Sequence, residues 1–336
     1  MNGATRTLAF LSIAISALGA CGPGRGAERA RPIGEDPLAL LPSGTDALVD
    51  IDVTQLRDWA PARRLLDLLP PAARADLAAL GFDPLDDVDA LWIALDRLGT
   101  PEQTSTLLLE TQLPVAKLAR ALGPSPTVTD WRGVAIHETV PGSIDPDRAL
   151  ARITPKYVCM GSRANVRRVL DLARGEGASL RDDKRLMHAY GRAPTAKSGR
   201  PAIIAGVAFD DPLRERLRKE DLPLGEAEEL SLAFAIGDGF DLGAIAFFRG
   251  PAEAGDALKE AKRRLDSALR STAVRLLQLR PLLDPIVFVQ REYKVHLAYR
   301  LAGKPLDRML TRLESLQPAQ PPPDKATPST QRATAP

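Results

Sequence analysis

Hydrophobic and polar residues alternate along several short stretches of the chain. In Thr45–Val53 the residues Ala47, Val49, Ile51 and Val53 alternate with polar side chains, which is the pattern of a half-buried strand. Comparable apolar or alternating runs predict further strands at Ala90–Leu95, Thr104–Thr111, Thr127–Trp131, Val134–Thr139, Tyr157–Gly161, Ala202–Phe209, Leu230–Ile236, Phe240–Phe248, Ile286–Gln290 and Lys294–Leu301.

Other stretches have the three- and four-residue spacing of amphipathic helices. They predict helices at Leu56–Leu69, Ala72–Leu80, Pro114–Leu122, Arg163–Arg174, Asp210–Arg218, Pro251–Arg280 and Pro305–Leu316. Proline at the start of several of these segments suits the first turn of a helix. The apolar face of the longest helix is interpreted as core packing, with a membrane-surface or partner-binding face as the alternative.

The order of these elements occurs twice along the chain. Each half begins with a strand and helical structure and continues as strand, strand, helix, strand, strand, helix. Antiparallel strands alternating with helices predict an α+β fold of two tandem units, each a mainly antiparallel sheet covered by helices. The first unit is placed at residues 41–196 and the second at 197–316, with the boundary in the polar stretch Arg192–Arg200.

The N-terminus has the features of a secretory signal peptide over residues 1–20. Arg6 precedes an uncharged apolar segment that ends in Leu18-Gly19-Ala20-Cys21. This arrangement resembles the lipobox of bacterial lipoproteins, which implies that Cys21 is the lipidated first residue of the mature protein. The segment is shorter than the ~20 residues of a membrane-spanning helix. An ordinary signal-peptidase site is disfavoured because Leu18 stands where a small residue is required.

The regions on either side of the predicted units have compositions that do not favour folding. Residues 21–40 are rich in Gly, Pro and charge and are predicted to be a flexible tether. Residues 317–336 are rich in Pro, Ala and Thr and are predicted to be a disordered tail. The alternative for the tail is an extended segment that binds an envelope partner.

Composition limits the classes of partner and redox chemistry. The chain has a formal net charge of +2, 44% hydrophobic residues and 26% charged residues, which indicates a globular protein and gives no electrostatic case for nucleic acid. It has two cysteines. If Cys21 carries lipid, Cys159 has no partner for a disulfide, and its apolar strand indicates a buried thiol rather than a reactive one.

Catalytic and metal-binding motifs are absent from the sequence. His137, His188 and His296 are isolated, and neither a nucleophile elbow nor a phosphate-binding loop occurs. The acidic run from Asp83 to Asp89 lacks the glycine and terminal glutamate of a calcium loop, so it is interpreted as a solvated turn with a helix cap. Asp50 and Asp52 are predicted to face solvent. No cofactor or metal site is therefore predicted.

Two segments resemble a known group of proteins. Leu41-Pro42-Ser43-Gly44-Thr45-Asp46-Ala47 precedes a strand, and Gly81-Phe82-Asp83-Pro84-Leu85-Asp86-Asp87-Val88 precedes another. Together with the lipobox, these segments resemble uncharacterised envelope lipoproteins of high-GC bacteria that contain a repeated α+β unit. The resemblance implies an envelope location and no particular activity or site residues.

The sequence therefore predicts a lipid-anchored protein of the bacterial cell envelope that binds partners or acts as a scaffold and is not an enzyme. Its expected partners are the membrane, through the lipid on Cys21, and an envelope protein. Gly22 stands where enteric bacteria place an Asp for inner-membrane retention, which favours the outer membrane. The alternatives are a carrier of a lipid or other apolar ligand, which needs an enclosed apolar pocket, and a hydrolase without a recognisable motif.

Overall fold

The computed structural model describes residues 35–316 apart from 71–73, 75–81, 124, 141–145, 196–199, 273 and 275–279. The strands are β1 Ala47–Asp52, β2 Ala90–Asp96, β3 Thr104–Glu110, β4 Thr127–Trp131, β5 Val134–Glu138, β6 Arg148–Arg152, β7 Tyr157–Ser162, β8 Pro201–Ala208, β9 Ala227–Ile236, β10 Phe240–Phe248, β11 Val287–Arg291 and β12 Lys294–Leu301. These twelve strands of the described residues form one sheet in the order β11-β12-β10-β9-β8-β1-β2-β3-β7-β6-β5-β4. All neighbouring strands are antiparallel.

Helices lie on both faces of this sheet. They are α1 Pro37–Leu40, α2 Val53–Asp58, α3 Pro61–Asp67, α4 Pro84–Asp87, α5 Val115–Leu118, α6 Arg163–Leu172, α7 Lys184–Gly191, α8 Asp211–Lys219, α9 Pro251–Arg270, α10 Arg280–Leu283 and α11 Gly303–Leu316. Short 3₁₀ helices occupy Ala119–Leu122 and Leu180–Asp182. The prediction of an α+β protein with mainly antiparallel strands is confirmed. None of the described helices is both long and apolar enough to cross a membrane.

The core is divided between the two faces of the sheet. On one face, Val49, Ile51 and Ile203 pack with Leu118 of α5 and Leu310 of α11. On the opposite face, α6 and the segments around it cover a second cluster that includes Trp92, Tyr157 and Cys159. A third cluster joins α8 and α9 to the strands near β10. Alternation along each strand sends successive side chains to these opposite faces.

The sheet is continuous because β1 pairs with β8 at its centre, with Val49 opposite Ala205. Beside this pair, α7 lies over β8 and β9. A Cβ atom on Gly206 would lie 2.7 Å from the backbone nitrogen of Tyr190, closer than a side chain permits. Gly206 therefore allows the end of α7 to lie directly on the strand.

The folded region begins earlier than the sequence indicated. Residues 21–40 were predicted to be a tether, but Pro37–Leu40 is a helix and Leu40 is fully buried. The side chain of Asp36 caps this helix and pairs with Arg181. The end of the predicted tether is therefore wrong, because Leu40 and the adjacent Leu41 belong to the core beneath α6.

Several elements differ from the sequence prediction. Strand β6 and helix α7 were not predicted. The helix predicted over Pro251–Arg280 ends at Arg270, where Ser271 adopts an extended conformation. The predicted signal peptide (1–20), Cys21, most of the tether, the tail (317–336) and nearly all of the helix predicted at Ala72–Leu80 lie outside the described residues.

Candidate functional site

The described residues form an open cleft of about 580 Å³. Its floor is formed by β10 and β12, one wall by the end of α7 at Arg192, and the other wall by the β11–β12 turn at Arg291 and Glu292. This volume is within the range of roughly 300–1,000 Å³ typical of small-molecule sites.

Strand alternation determines which side chains form the floor. Ala246 and Phe248 of β10 pack on the face covered by α9, so Ile245 and Phe247 point to the opposite face. On β12, His296 is opposite Ile245 and Lys294 is opposite Phe247. These four residues therefore lie side by side on a face that α9 does not cover.

Three cationic side chains surround the cleft. The guanidinium carbon of Arg192 lies 5.1 Å from the centre of the Phe247 ring, and the ammonium of Lys294 lies 5.8 Å from it, both within reach of a cation–π interaction. Arg291 is the third cation. Within the described part of the chain, no carboxylate forms an ion pair with any of them. By contrast, Arg64 pairs with both Asp307 and Glu314.

His296 is the titratable residue on the floor. Its Nε2 atom is buried and has no hydrogen-bond partner among the described residues. Burial lowers the pKa of His296, and the charges of Arg291 and Lys294 lower it further. The imidazole is therefore neutral near pH 7, and the cleft keeps an unused hydrogen-bonding atom beside its cations.

An apolar strip continues from the cationic end of the cleft along the same face. Val289 is opposite His296, and Val287 is opposite Ala298. Val287 and Val289 are 51% and 43% exposed. With Ala298 they form an apolar strip along β11 and β12, which His296 separates from Ile245 on β10. Cations therefore lie at one end of this face and aliphatic side chains along it.

A second histidine lies next to Phe247. Nδ1 of His188, on α7, is 2.6 Å from a carboxylate oxygen of Glu229, on β9. The His188 ring centroid lies 6.4 Å from that of Phe247. His188 is isolated in the sequence, and α7 brings it beside β9, a strand that follows much later in the chain.

The third histidine and the acidic run do not contribute to this cleft. His137 lies on β5, near the end of the sheet opposite β12. Asp83 caps α4 through the backbone nitrogens of Leu85 and Asp86, so the predicted helix cap is confirmed. The carboxylate of Asp87 accepts a hydrogen bond from Lys117 at 3.1 Å, which contributes to lowering its pKa after the larger effect of the Asp83 backbone hydrogen bond.

Asp50 and Asp52 occupy different environments in the structure. The expectation that both face solvent is wrong for Asp50, which is 4% exposed and accepts a 2.6 Å hydrogen bond from the Tyr190 hydroxyl. Helix α7, which the sequence did not predict, covers it. Asp52 caps α2. Burial alone would raise its pKa, but hydrogen bonds from Thr54 and Gln55 outweigh this effect and lower it.

The structure describes one of the two cysteines, Cys159. Cys159 is fully buried on β7, and burial strongly raises the pKa of its thiol. Cys21 lies outside the described residues, so its predicted lipidation stays a prediction. Among the described residues, no group of three or more His, Cys, Asp or Glu side chains could hold a metal ion.

Sequence reasoning did not find the cleft. Its charged residues Arg192, Arg291 and Lys294 come from two distant parts of the chain, so they form no local motif. The sequence predicted β10 and β12 as strands. It did not predict that they pair, or that the end of α7 lies on the same face of the sheet.

Comparison with known proteins gives little independent information. No protein-family model matches the chain, and no curated protein matches it. One solved structure, crystal form I of TP0453, aligns with 83% of this chain and 97% of its own chain at 13% identity and a TM-score of 0.42. A TM-score and identity this low do not establish a shared function.

Proposed function

We propose that the protein is a lipid-anchored component of the bacterial cell envelope that acts by binding, without catalysis, through the cleft between α7 and the β11–β12 turn. The observation that carries this proposal is a set of cations around the cleft that have no ion-pair partner among the described residues, next to an exposed apolar strip. Exposed apolar surface beside charged groups is typical of interaction sites.

The anchor is part of the same proposal and rests on the lipobox ending in Cys21. The outer membrane is favoured over the inner membrane because Gly22 follows the cysteine. Intact-mass measurement of the mature N-terminus tests the anchor. We expect a diacylated Cys21, and Cys21→Ser should leave unprocessed precursor or release soluble protein. An unmodified Cys21 or cleavage at another residue contradicts the anchor.

The binding role is tested by footprinting lysines. Lys294 is half-buried at the cleft, and Lys262 is exposed on α9, so an amine-reactive label reports on both in one sample. When the purified lipoprotein is mixed with detergent-solubilised envelope, labelling of Lys294 should fall several-fold and labelling of Lys262 should not change. Equal labelling of Lys294 with and without envelope contradicts a binding role for the cleft.

We further propose that residues 41–196 and 197–316 are tandem units related by duplication. This is supported by the strand order on either side of the central β1–β8 pair, which is β1-β2-β3-β7-β6 in one direction and β8-β9-β10-β12-β11 in the other. The hairpin of β4 and β5 has no counterpart among the described residues of the second unit. In an experimental structure, β1–β3, β7 and β6 should superpose on β8–β10, β12 and β11, and different strand directions would refute the proposal.

A further inference from the structure

We infer that the cleft binds one molecule of an anionic amphiphile, with a phosphate or carboxylate group at its cationic end and a hydrocarbon chain along its apolar strip. This inference rests on the proposed binding function and adds the chemical class of the ligand. It follows from the arrangement of charge and apolar surface on one face of β10, β12 and β11.

The cationic end fits an anionic head group. Arg192, Arg291 and Lys294 contribute three positive charges to the lining against the single negative charge of Glu292. The described residues provide these cations with no ion-pair partner. Charge-assisted hydrogen bonds to an anion are the strongest that such side chains form. Nε2 of His296, which has no hydrogen-bond partner in the described part of the chain, lies on the adjoining floor.

The apolar strip fits a hydrocarbon chain of limited length. It runs from Val289, next to His296, to Val287 and Ala298. Beyond Ala298, Arg300 pairs with Asp241 at 3.2 Å, so a charged pair marks the far end of the strip. The four residue-to-residue steps along β12 from Lys294 to Ala298 span about 13 Å at roughly 3.3 Å per step. A ligand with a charge at one end and an apolar body matches this layout.

A small anion alone would leave the strip unused, and an uncharged amphiphile would leave the cations unpaired. Burying aliphatic surface contributes favourable free energy in proportion to the area removed from water. Both ends of the ligand should therefore contribute to affinity. The exposed side-chain surface of Val287 and Val289 is the area that an acyl chain would cover.

The test measures binding by calorimetry to the full chain carrying Cys21→Ser, so that no attached lipid competes for the cleft. The probes are dodecyl phosphate below its micelle concentration, inorganic phosphate and dodecyl maltoside. We expect dodecyl phosphate to bind at least about tenfold more tightly than either of the others, a difference of about 1.4 kcal/mol. Equal affinity for inorganic phosphate, or for dodecyl maltoside, would overturn the inference.

Matched variants test which residues contact each end of the ligand. Lys294→Gln should weaken dodecyl phosphate binding about tenfold, whereas Lys262→Gln, at an exposed position of α9, should not. Val289→Asn should weaken dodecyl phosphate binding but not inorganic phosphate binding. Val128→Asn changes another exposed valine, on the opposite edge strand β4, and should change neither. Thermal melting verifies that each variant is folded, which is expected because all four side chains are partly or fully exposed.

Vesicles distinguish a single bound molecule from a membrane surface. Vesicles of phosphatidylglycerol and of phosphatidylcholine are compared by sedimentation with the same variants. If the protein binds phosphatidylglycerol vesicles but not monomeric dodecyl phosphate, the cleft is a membrane-docking surface and the inference is wrong. If the Lys294 footprint is protected by envelope but dodecyl phosphate does not bind, the binding function stands and the ligand class is wrong.

Discussion

At the scale of single residues, burial determines the chemistry of the Cys159 thiol. Its side chain is fully buried in the cluster beneath α6, and burial raises its pKa well above the usual value of a thiol. At pH 8 it is therefore fully protonated, and the thiolate that reacts with reagents is absent. We predict no labelling by a thiol reagent over minutes in the native Cys21→Ser protein and stoichiometric labelling in urea. Rapid native labelling would contradict the burial of Cys159.

The pKa of His296 provides a second test at this scale. Burial lowers it first, and Arg291 and Lys294 add positive charge nearby; Arg192 and Glu292 also line the cleft. Lys294→Gln removes one of the causes, so the pKa of His296 should rise in an NMR titration. Lys262→Gln should leave it unchanged. An unchanged pKa in the Lys294 variant would mean that Lys294 does not act on His296.

Single residues differ in how much of their role the sequence reveals. Asp83 was predictable as a helix cap because a cap depends on residues two and three positions away. Asp50 was not, because its burial depends on Tyr190 from a distant helix. The cations of the cleft were also missed, because a formal charge of +2 over the whole chain conceals a local cluster from distant segments.

At the scale of elements, α7 shows how a glycine permits close packing between a helix and a strand. A Cβ on Gly206 would lie 2.7 Å from the nitrogen of Tyr190, so Gly206→Val requires α7 to move away from β8. We predict a loss of about 2 kcal/mol in the free energy of unfolding, within the range for overpacking, measured by urea denaturation.

The control for this prediction is Gly191→Ala, at the end of the same helix. A Cβ there meets no atom within 4 Å, so stability should change by less than about 0.5 kcal/mol. Similar losses for both variants would mean that the effect comes from the glycine backbone and not from contact with Tyr190. Because Arg192 follows α7, Gly206→Val should also weaken any ligand binding at the cleft.

Most elements were predictable because their periodicity is local. The alternation in Thr45–Val53 and the apolar run in Tyr157–Gly161 correspond to β1 and β7. Helix α7, with eight residues, was too short for its periodicity to stand out. Strand β6 has charged residues at both ends and only Ala149–Ala151 between them. Its identity as a strand depends on pairing with β5 and β7, which local sequence does not encode.

At the scale of the whole molecule, the pairing of β1 with β8 joins the two predicted units into one sheet. The order of elements predicted two similar halves, but periodicity contains no information about which strands from different halves are neighbours. One core cluster contains residues from both halves: Val49 and Ile51 of β1, Ile203 of β8 and Phe234 of β9. Each half therefore provides apolar surface that the other covers.

This shared core predicts that the chain stays assembled after it is cut between its halves. A protease site inserted between Lys197 and Ser198, in a stretch outside the described residues, should be cleaved without separating the halves, which should elute together on size exclusion. Separation would expose the hydrogen-bonding edge of β8 and the side chain of Ile203, an arrangement that promotes aggregation. The same site inserted within residues 317–336 is the control and should release only a short peptide. Two soluble, separately eluting folded halves would show that the β1–β8 pairing contributes little, whereas co-elution that is lost only in denaturant would show that the two halves fold as one body.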